Sequence, residues 1–150
     1  MNTQIQKIIH SSAEWKQARK IRHELFFKKH QLPEAIMDDE IELRAIHYAI
    51  VDNKEVLAYL RLDEKENNYF ISQMVVHRNY QNRGLGSKLI TQVLERIPNN
   101  FKSIELNARL TAVAFYENLG FEICGDQFNS QSTAVPHFPM KMKINKKELS

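Results

Sequence analysis

Two of the four glycines in this 150-residue chain stand two apart, Gly84 and Gly86, between an apolar run at 70–77 and an amphipathic run at 85–97. The apolar run is rich in Val and Ile, as a buried strand is. In the second run Leu85, Leu89, Val93 and Ile97 form one helical face, which Pro98 ends. The six residues QNRGLG between them carry no β-branched side chain. A strand, a permissive loop and a helix start let successive backbone N–H groups converge on one point, and the helix adds unpaired donors and its positive dipole end. Such a point attracts an anion, to which Arg78, Arg83 and the Ser87 hydroxyl can add charge-assisted contacts. A glycine-eased turn with solvated arginines fits the spacing equally well. Two phosphate loops are excluded: Gly86 is followed by Ser87-Lys88, the reverse of a P-loop, and position 89 is Leu where a dinucleotide fingerprint needs Gly or Ala.

The rest of the chain supplies a setting for that loop. Residues 3–10 predict a short strand, and Ser11 or Ser12 is a candidate N-cap for a helix with Trp15, Ala18, Ile21 and Leu25 at three- and four-residue spacing. The segment HQLPEAIMDDEIE is acidic and aperiodic, and predicts a loop with a short helix that lines a site rather than a core element. Two β-rich runs, 47–51 and 56–63, bracket Asp52-Asn53-Lys54 and predict a hairpin. In SIELNARL, Ile104, Leu106 and Ala108 alternate with Glu105, Asn107 and Arg109, the period of a strand with one polar face. Residues 111–119 predict a helix closed by Gly120, and 121–128 with 136–144 a last strand pair. The fold class is mixed α/β: a strand and helix, a run of antiparallel strands, then β-α-β-α-β-β in one sheet.

Length predicts one domain, 1–150. Apolar residues at 43% and charged residues at 26% are globular averages, and no stretch approaches the ~20 apolar residues that span a bilayer, so a soluble protein with no membrane partner is expected. No secretory signal is visible at the N-terminus, which makes a cytoplasmic location the default. Cys124, the one cysteine, excludes an internal disulfide and predicts a buried thiol. The histidines offer no metal-ligand spacing, and no metal is expected. Part of the net charge of +3 is the tail KMKINKKE, so the body is near neutral and a nucleic-acid partner is not expected.

Val76-His77 followed by Tyr80-Gln81-Asn82-Arg83-Gly84-Leu85-Gly86 resembles the acetyl-CoA signature of the GNAT superfamily of acyltransferases, Q/R-x-x-G-x-G/A after a strand. LNARLTAVAFYENLGF, residues 106–121, is similar to that superfamily's later motif, with an Asn on a strand and a Phe-Tyr pair before Leu-Gly-Phe. The first helix, the DDE segment before His47 and the closing PHFPM resemble its small bacterial YjcF-like branch. Arg78 departs from the usual proline, and Asn82 stands where glycine often sits; Asn tolerates left-handed backbone.

The resemblance implies a GNAT-like fold, with antiparallel N-terminal strands and splayed central strands flanked by helices, and transfer of an acetyl group from acetyl-CoA (coenzyme A as carrier) to an amine. The pyrophosphate would sit on Gln81, Asn82, Arg83, Gly84, Leu85, Gly86 and Ser87. The pantetheine arm would lie along Met74, Val75 and Val76, and Asn107 would reach it from the fifth strand. Tyr116 matches the tyrosine that protonates the departing thiolate. The amine must lose a proton, and the fourth strand carries no carboxylate to take it, so His47 and His137 are the candidate bases and substrate contacts. Glu24, with Asp38, Asp39 and Glu40, is a candidate site for a cationic substrate, although a solvated charged face explains these residues as well. The expected partner is a small-molecule amine. Two alternatives stay open: a toxin-like relative acting on aminoacyl-tRNA, and a CoA-binding sensor without turnover. Dimers are common in the superfamily, so a homodimer is compatible with the sequence and not demanded by it.

Overall fold

Asn53 and Lys54 both take left-handed backbone, at φ 48° and 66°, and so close a two-residue hairpin in which Asp52 faces Glu55. Two consecutive positive φ values give a turn whose twist matches that of the flanking strands. Lys54 holds this conformation without glycine's freedom, and replacing it with glycine is expected to raise stability by about 0.5–1 kcal/mol, read by urea denaturation. Gln17 braces the turn from outside: its amide donates to the Lys54 carbonyl at 2.8 Å and accepts from the Val56 N–H at 3.0 Å.

The computed structural model describes residues 4–98 and 100–143. Its elements are β1 (Ile5–Ile8), α1 (Ala13–Arg22), α2 (Glu40–Arg44), β2 (Ile46–Asp52), β3 (Glu55–Lys65), β4 (Asn68–Val76), α3 (Leu85–Arg96), β5 (Ser103–Arg109), α4 (Val113–Asn118), β6 (Glu122–Ile123), β7 (Phe128–Asn129) and β8 (Pro136–Lys143). The fold is mixed α/β, as the sequence predicts. Among the described residues no helix is long and apolar enough to cross a membrane. The chain divides into two compact units, one of residues up to 63 with 73–97, the other of 64–72 with the residues from 98 on.

In the first unit β1, β2 and β3 are antiparallel, with Ile5 opposite Ile50 and Ile46 opposite Leu62. The last residues of β4 follow β3, and the His77 N–H reaches the Leu57 carbonyl at 2.8 Å. α3 lies against β1 and β2, burying Leu85, Leu89, Ile90 and Val93 as its apolar period requires. Ser12, rather than Ser11, caps α1 by accepting the Trp15 N–H. Trp15, Ala18 and Arg22 are its buried residues, while the predicted Ile21 and Leu25 are only partly covered. A π-helical turn, His23–Phe27, follows directly and carries Phe27 inward. The wider turn breaks the regular spacing after Arg22, so that Phe27 rather than Leu25 is the next buried residue.

The acidic segment is more than a loop. Met37 and Glu42 are fully buried within it, and Asp39 caps α2 by accepting the Glu42 N–H. This corrects the expectation that 30–42 lies outside the core. Its physical reason is a set of ion pairs: Asp38 with Arg19, Asp39 with Arg61, and Glu42 with Arg22 and Arg61.

In the second unit β4 runs parallel to β5 for four residues, from Asn68 opposite Ser103 to Ile71 opposite Leu106. β5 pairs antiparallel with β8 along its whole length. Ile104, Leu106 and Ala108 are buried, each large one worth about 1.5–3 kcal/mol, and Asn107 is exposed, as the alternation predicts. The predicted strand at 121–128 is instead two short pieces, β6 and β7, both on β8. They are parted at Gly125, where a Cβ would come within 2.8 Å of the Pro139 ring. Backbone must pass close to that proline, and only glycine fits. Cys124 lies at this break and is exposed, which corrects the expected buried thiol. Residue 3 of the first predicted strand, Ile144 and the rest of the basic tail lie outside the described residues.

Candidate active site

Gly84 adopts φ 76° and is the N-cap of α3, with no side chain closing the helix. The first N–H groups of the helix, from Leu85, Gly86 and Ser87, therefore have no capping acceptor. A Cβ placed on Gly84 would meet nothing within 4 Å. Its conformation needs glycine, and the space beside it is open. Gly86 is the second residue of the helix rather than part of the loop before it, and it is buried. Asn82 is also left-handed, at φ 64°, as its side chain allows.

The loop is tied to the strand before it. The Gln81 amide donates to the Val76 carbonyl at 3.1 Å, and His77 Nδ1 accepts the Asn79 N–H at 3.0 Å. The Arg83 guanidinium lies 5.4 Å from the Tyr80 ring centre, and the Tyr80 hydroxyl donates to Glu55. Gln81, Asn82 and Arg83 are exposed, Leu85 is core, and Ser87 is half-buried. Arg78 pairs with Glu24 at 3.2 Å on the surface. One unit thus brings together Met74, Val75, Val76 and every loop residue singled out from the sequence.

The second unit holds Asn107, Tyr116 and His137. Tyr116 is fixed by the end of its helix: the Gly120 N–H bonds to the Glu117 carbonyl at 3.0 Å and the Phe121 N–H to the Tyr116 carbonyl at 3.1 Å. That reciprocal pair is a Schellman motif, and Gly120 supplies the left-handed residue at φ 105°. Its accompanying apolar contact is the edge-on packing of Tyr116 against Phe121, with ring centres 5.8 Å apart. Leu-Gly-Phe therefore sets the place of the tyrosine. Burial raises the Tyr116 pKa to about 12, and its hydroxyl has no partner among the described residues. It is an acid at neutral pH, with its proton free to give.

The two histidines differ. His137, opposite Arg109 in the sheet and stacked on Phe128, points Nδ1 at the Val135 carbonyl, 2.7 Å away. A carbonyl only accepts, so Nδ1 carries the proton and Nε2 holds a lone pair in the neutral ring. His47 is buried, and its Nε2 donates to the Glu42 carbonyl at 2.9 Å while Nδ1 accepts from the Tyr59 hydroxyl. Burial lowers its pKa. With both nitrogens engaged inside the core, His47 has neither a lone pair nor access to offer an incoming amine. Of the predicted cation site, Glu24, Asp38 and Asp39 face Arg78, Arg19 and Arg61, while Glu40 is exposed at the start of α2.

Two residues overlooked in the sequence belong to this picture, Arg22 and Gln73. Arg22 stands four residues after Ala18 on the helix stripe, a signal that its charge obscured. Gln73, at φ 53° in the middle of β4, carries no sequence signal at all.

The strand and the uncapped helix start opened by a left-handed glycine lie in one unit, and the proton-bearing tyrosine in the other. Residues 12–144 match the Acetyltransferase (GNAT) domain. The chain is 30% identical over 111 residues to UPF0039 protein C11D3.02c of Schizosaccharomyces pombe, covering 71% of this chain and 73% of that one. It is 24% identical over 127 residues to the uncharacterized N-acetyltransferase YjcF of Bacillus subtilis, covering 83% and 89%. Among solved structures it resembles Escherichia coli ElaA, with TM-score 0.76 and 22% identity over 93% of this chain and 99% of that one. It also resembles a GNAT family acetyltransferase of Elizabethkingia anophelis with acetyl-CoA bound, with TM-score 0.71 and 15% identity over 93% and 97%. The chain belongs to the GNAT acetyltransferase family.

Proposed function

We propose that this protein transfers an acetyl group from acetyl-CoA to the amine of a small molecule, by direct attack in a ternary complex. The observation that carries the reading is the uncapped start of α3, a helix of 12 residues opened by Gly84. Its N–H groups and positive dipole end suit the pyrophosphate of a coenzyme A, and Arg83 and Ser87 stand beside them. Met74, Val75 and Val76 offer a strand edge for the amides of the pantetheine arm, and the exposed Asn107 offers an amide of its own. The bound acetyl-CoA supplies an activated thioester. Holding both substrates together removes the need for a covalent enzyme intermediate.

Tyr116 then gives its proton to the departing thiolate, and His137 takes one from the amine through Nε2, oriented by the Val135 carbonyl. With Glu24, Asp38, Asp39 and Glu42 already paired to arginine, the acceptor is selected by shape and hydrogen bonding more than by positive charge. Calorimetry with coenzyme A tests the first half of this reading, and thiol release across a panel of amines tests the second. Gly84→Val both strains the left-handed N-cap and fills the open space beside it. Coenzyme A affinity is expected to fall about five- to thirtyfold in that variant, from a conformational cost of roughly 1–2 kcal/mol. An unchanged dissociation constant would remove the loop from the site.

A further inference from the structure

Gln73 takes a left-handed backbone, φ 53°, inside β4, where a non-glycine residue pays for the conformation with strain. Strain of this kind persists where the surroundings over-determine it, and here they do. The Gln73 side-chain carbonyl accepts a hydrogen bond from Arg22 Nη1 at 2.9 Å. Arg22 is fully buried and cannot follow a moving strand, because both its terminal nitrogens are held by Glu42 at 2.8 and 2.9 Å. Glu42 is itself fixed by the Trp15 indole at 2.8 Å and by Arg61 at 3.0 Å. The guanidinium carbon of Arg22 lies 4.5 Å from the centre of the Tyr59 ring, and its Nε has no partner among the described residues. An arginine with one donor orphaned in the core is spent on something other than stability alone. What it grips is the residue directly before Met74.

We propose that Arg22 and Gln73 are positioning residues for the acyl donor. The buried guanidinium, clamped by Glu42, locks Gln73 in left-handed backbone and thereby fixes where the main chain of Met74, Val75 and Val76 presents its N–H and C=O groups to the pantetheine arm. This deepens the function proposed above and rests on it. Glycine adopts φ near 53° without strain, so a Gln73→Gly chain folds but has no side chain for Arg22 to hold. Gln73→Glu restores an acceptor of the same reach, now charged.

The test is calorimetric titration of coenzyme A into the wild type, Gln73→Gly, Gln73→Ala and Gln73→Glu, at a temperature where circular dichroism shows each chain folded. Loss of a hydrogen bond to a charged group predicts at least about a tenfold rise in the dissociation constant for Gln73→Gly and Gln73→Ala, with most of the affinity recovered in Gln73→Glu. A merely structural role would lower the melting temperature and leave affinity of the folded chain untouched. If Gln73→Gly binds as the wild type does, the positioning proposal is wrong and the coenzyme A site stands. If the wild type itself takes up no coenzyme A, the function proposed above is what fails.

Discussion

A Tyr116→Phe chain is expected to bind acetyl-CoA as the wild type does and to lose about 10²–10⁴-fold in transfer rate, the usual worth of a positioned proton donor. Affinity is spared because nothing that places the ring depends on the hydroxyl. The Schellman closure uses the backbone of Tyr116, and the edge-on contacts with Phe115 and Phe121 use its ring. Only the hydroxyl disappears. Burial holds its proton to about pH 12, so this group adds no alkaline limb to the wild-type rate until the pH nears that value. Comparing thiol release with calorimetric binding in both chains separates the outcomes. Unchanged turnover in the variant would strip Tyr116 of its role, and a wild type that binds acetyl-CoA without turning over any amine would be a sensor.

The parts of the fold that sequence reveals are those set by neighbours along the chain. Asp52-Asn53-Lys54 makes a turn, Gly84 opens a helix, and Gly120 closes one, each by a local rule about positive φ. The alternation in β5 and the stripe of α3 are equally local, so the strand–loop–helix around Gly84 was legible from spacing, while Tyr116 was singled out only by the resemblance of 106–121 to a family motif. The buried ion cluster was not. Arg22 and Glu42 are 20 residues apart, and each alone reads as a surface charge. Their burial is stable only as a pair, a condition that no periodicity of one segment encodes. The π-helical turn after α1 and the left-handed Gln73 share this character: tertiary contacts impose them against local preference. His47 shows the consequence for function. Its position at a strand start suited a base, and only the Glu42 carbonyl and Tyr59 hydroxyl on its two nitrogens reveal a core residue.

Replacing Glu42 with Ala is expected to cost about 3–5 kcal/mol in urea denaturation, since it leaves Arg22 without a countercharge in the core. Against a typical total stability of about 5–15 kcal/mol that is a large share. The same pair predicts an acid limb. Burial works to raise the Glu42 pKa, but hydrogen bonds and charge from Arg22, with help from Trp15 and His47, outweigh it and hold the carboxyl at about 2 against an ordinary 4.5. A depressed carboxyl stabilises the fold above its unfolded pKa, so on the order of 3 kcal/mol is present above pH 4.5 and drains away as the pH falls toward 2. His47, kept neutral by burial, gives a separate and earlier loss as the pH falls below its ordinary 6.5. Glu42→Gln is expected to abolish the lower limb and keep the upper one. The double replacement Arg22→Met with Glu42→Leu sharpens the point, because an apolar pair of similar volume is often as stable as a buried ion pair. Arg61 keeps Asp39 as its partner there and the Trp15 indole loses its acceptor, so stability is expected to return to within about 1–3 kcal/mol of wild type while coenzyme A affinity is below that of the wild type. Recovery of both would mean that the cluster serves the core alone and that β4 finds its bend without it.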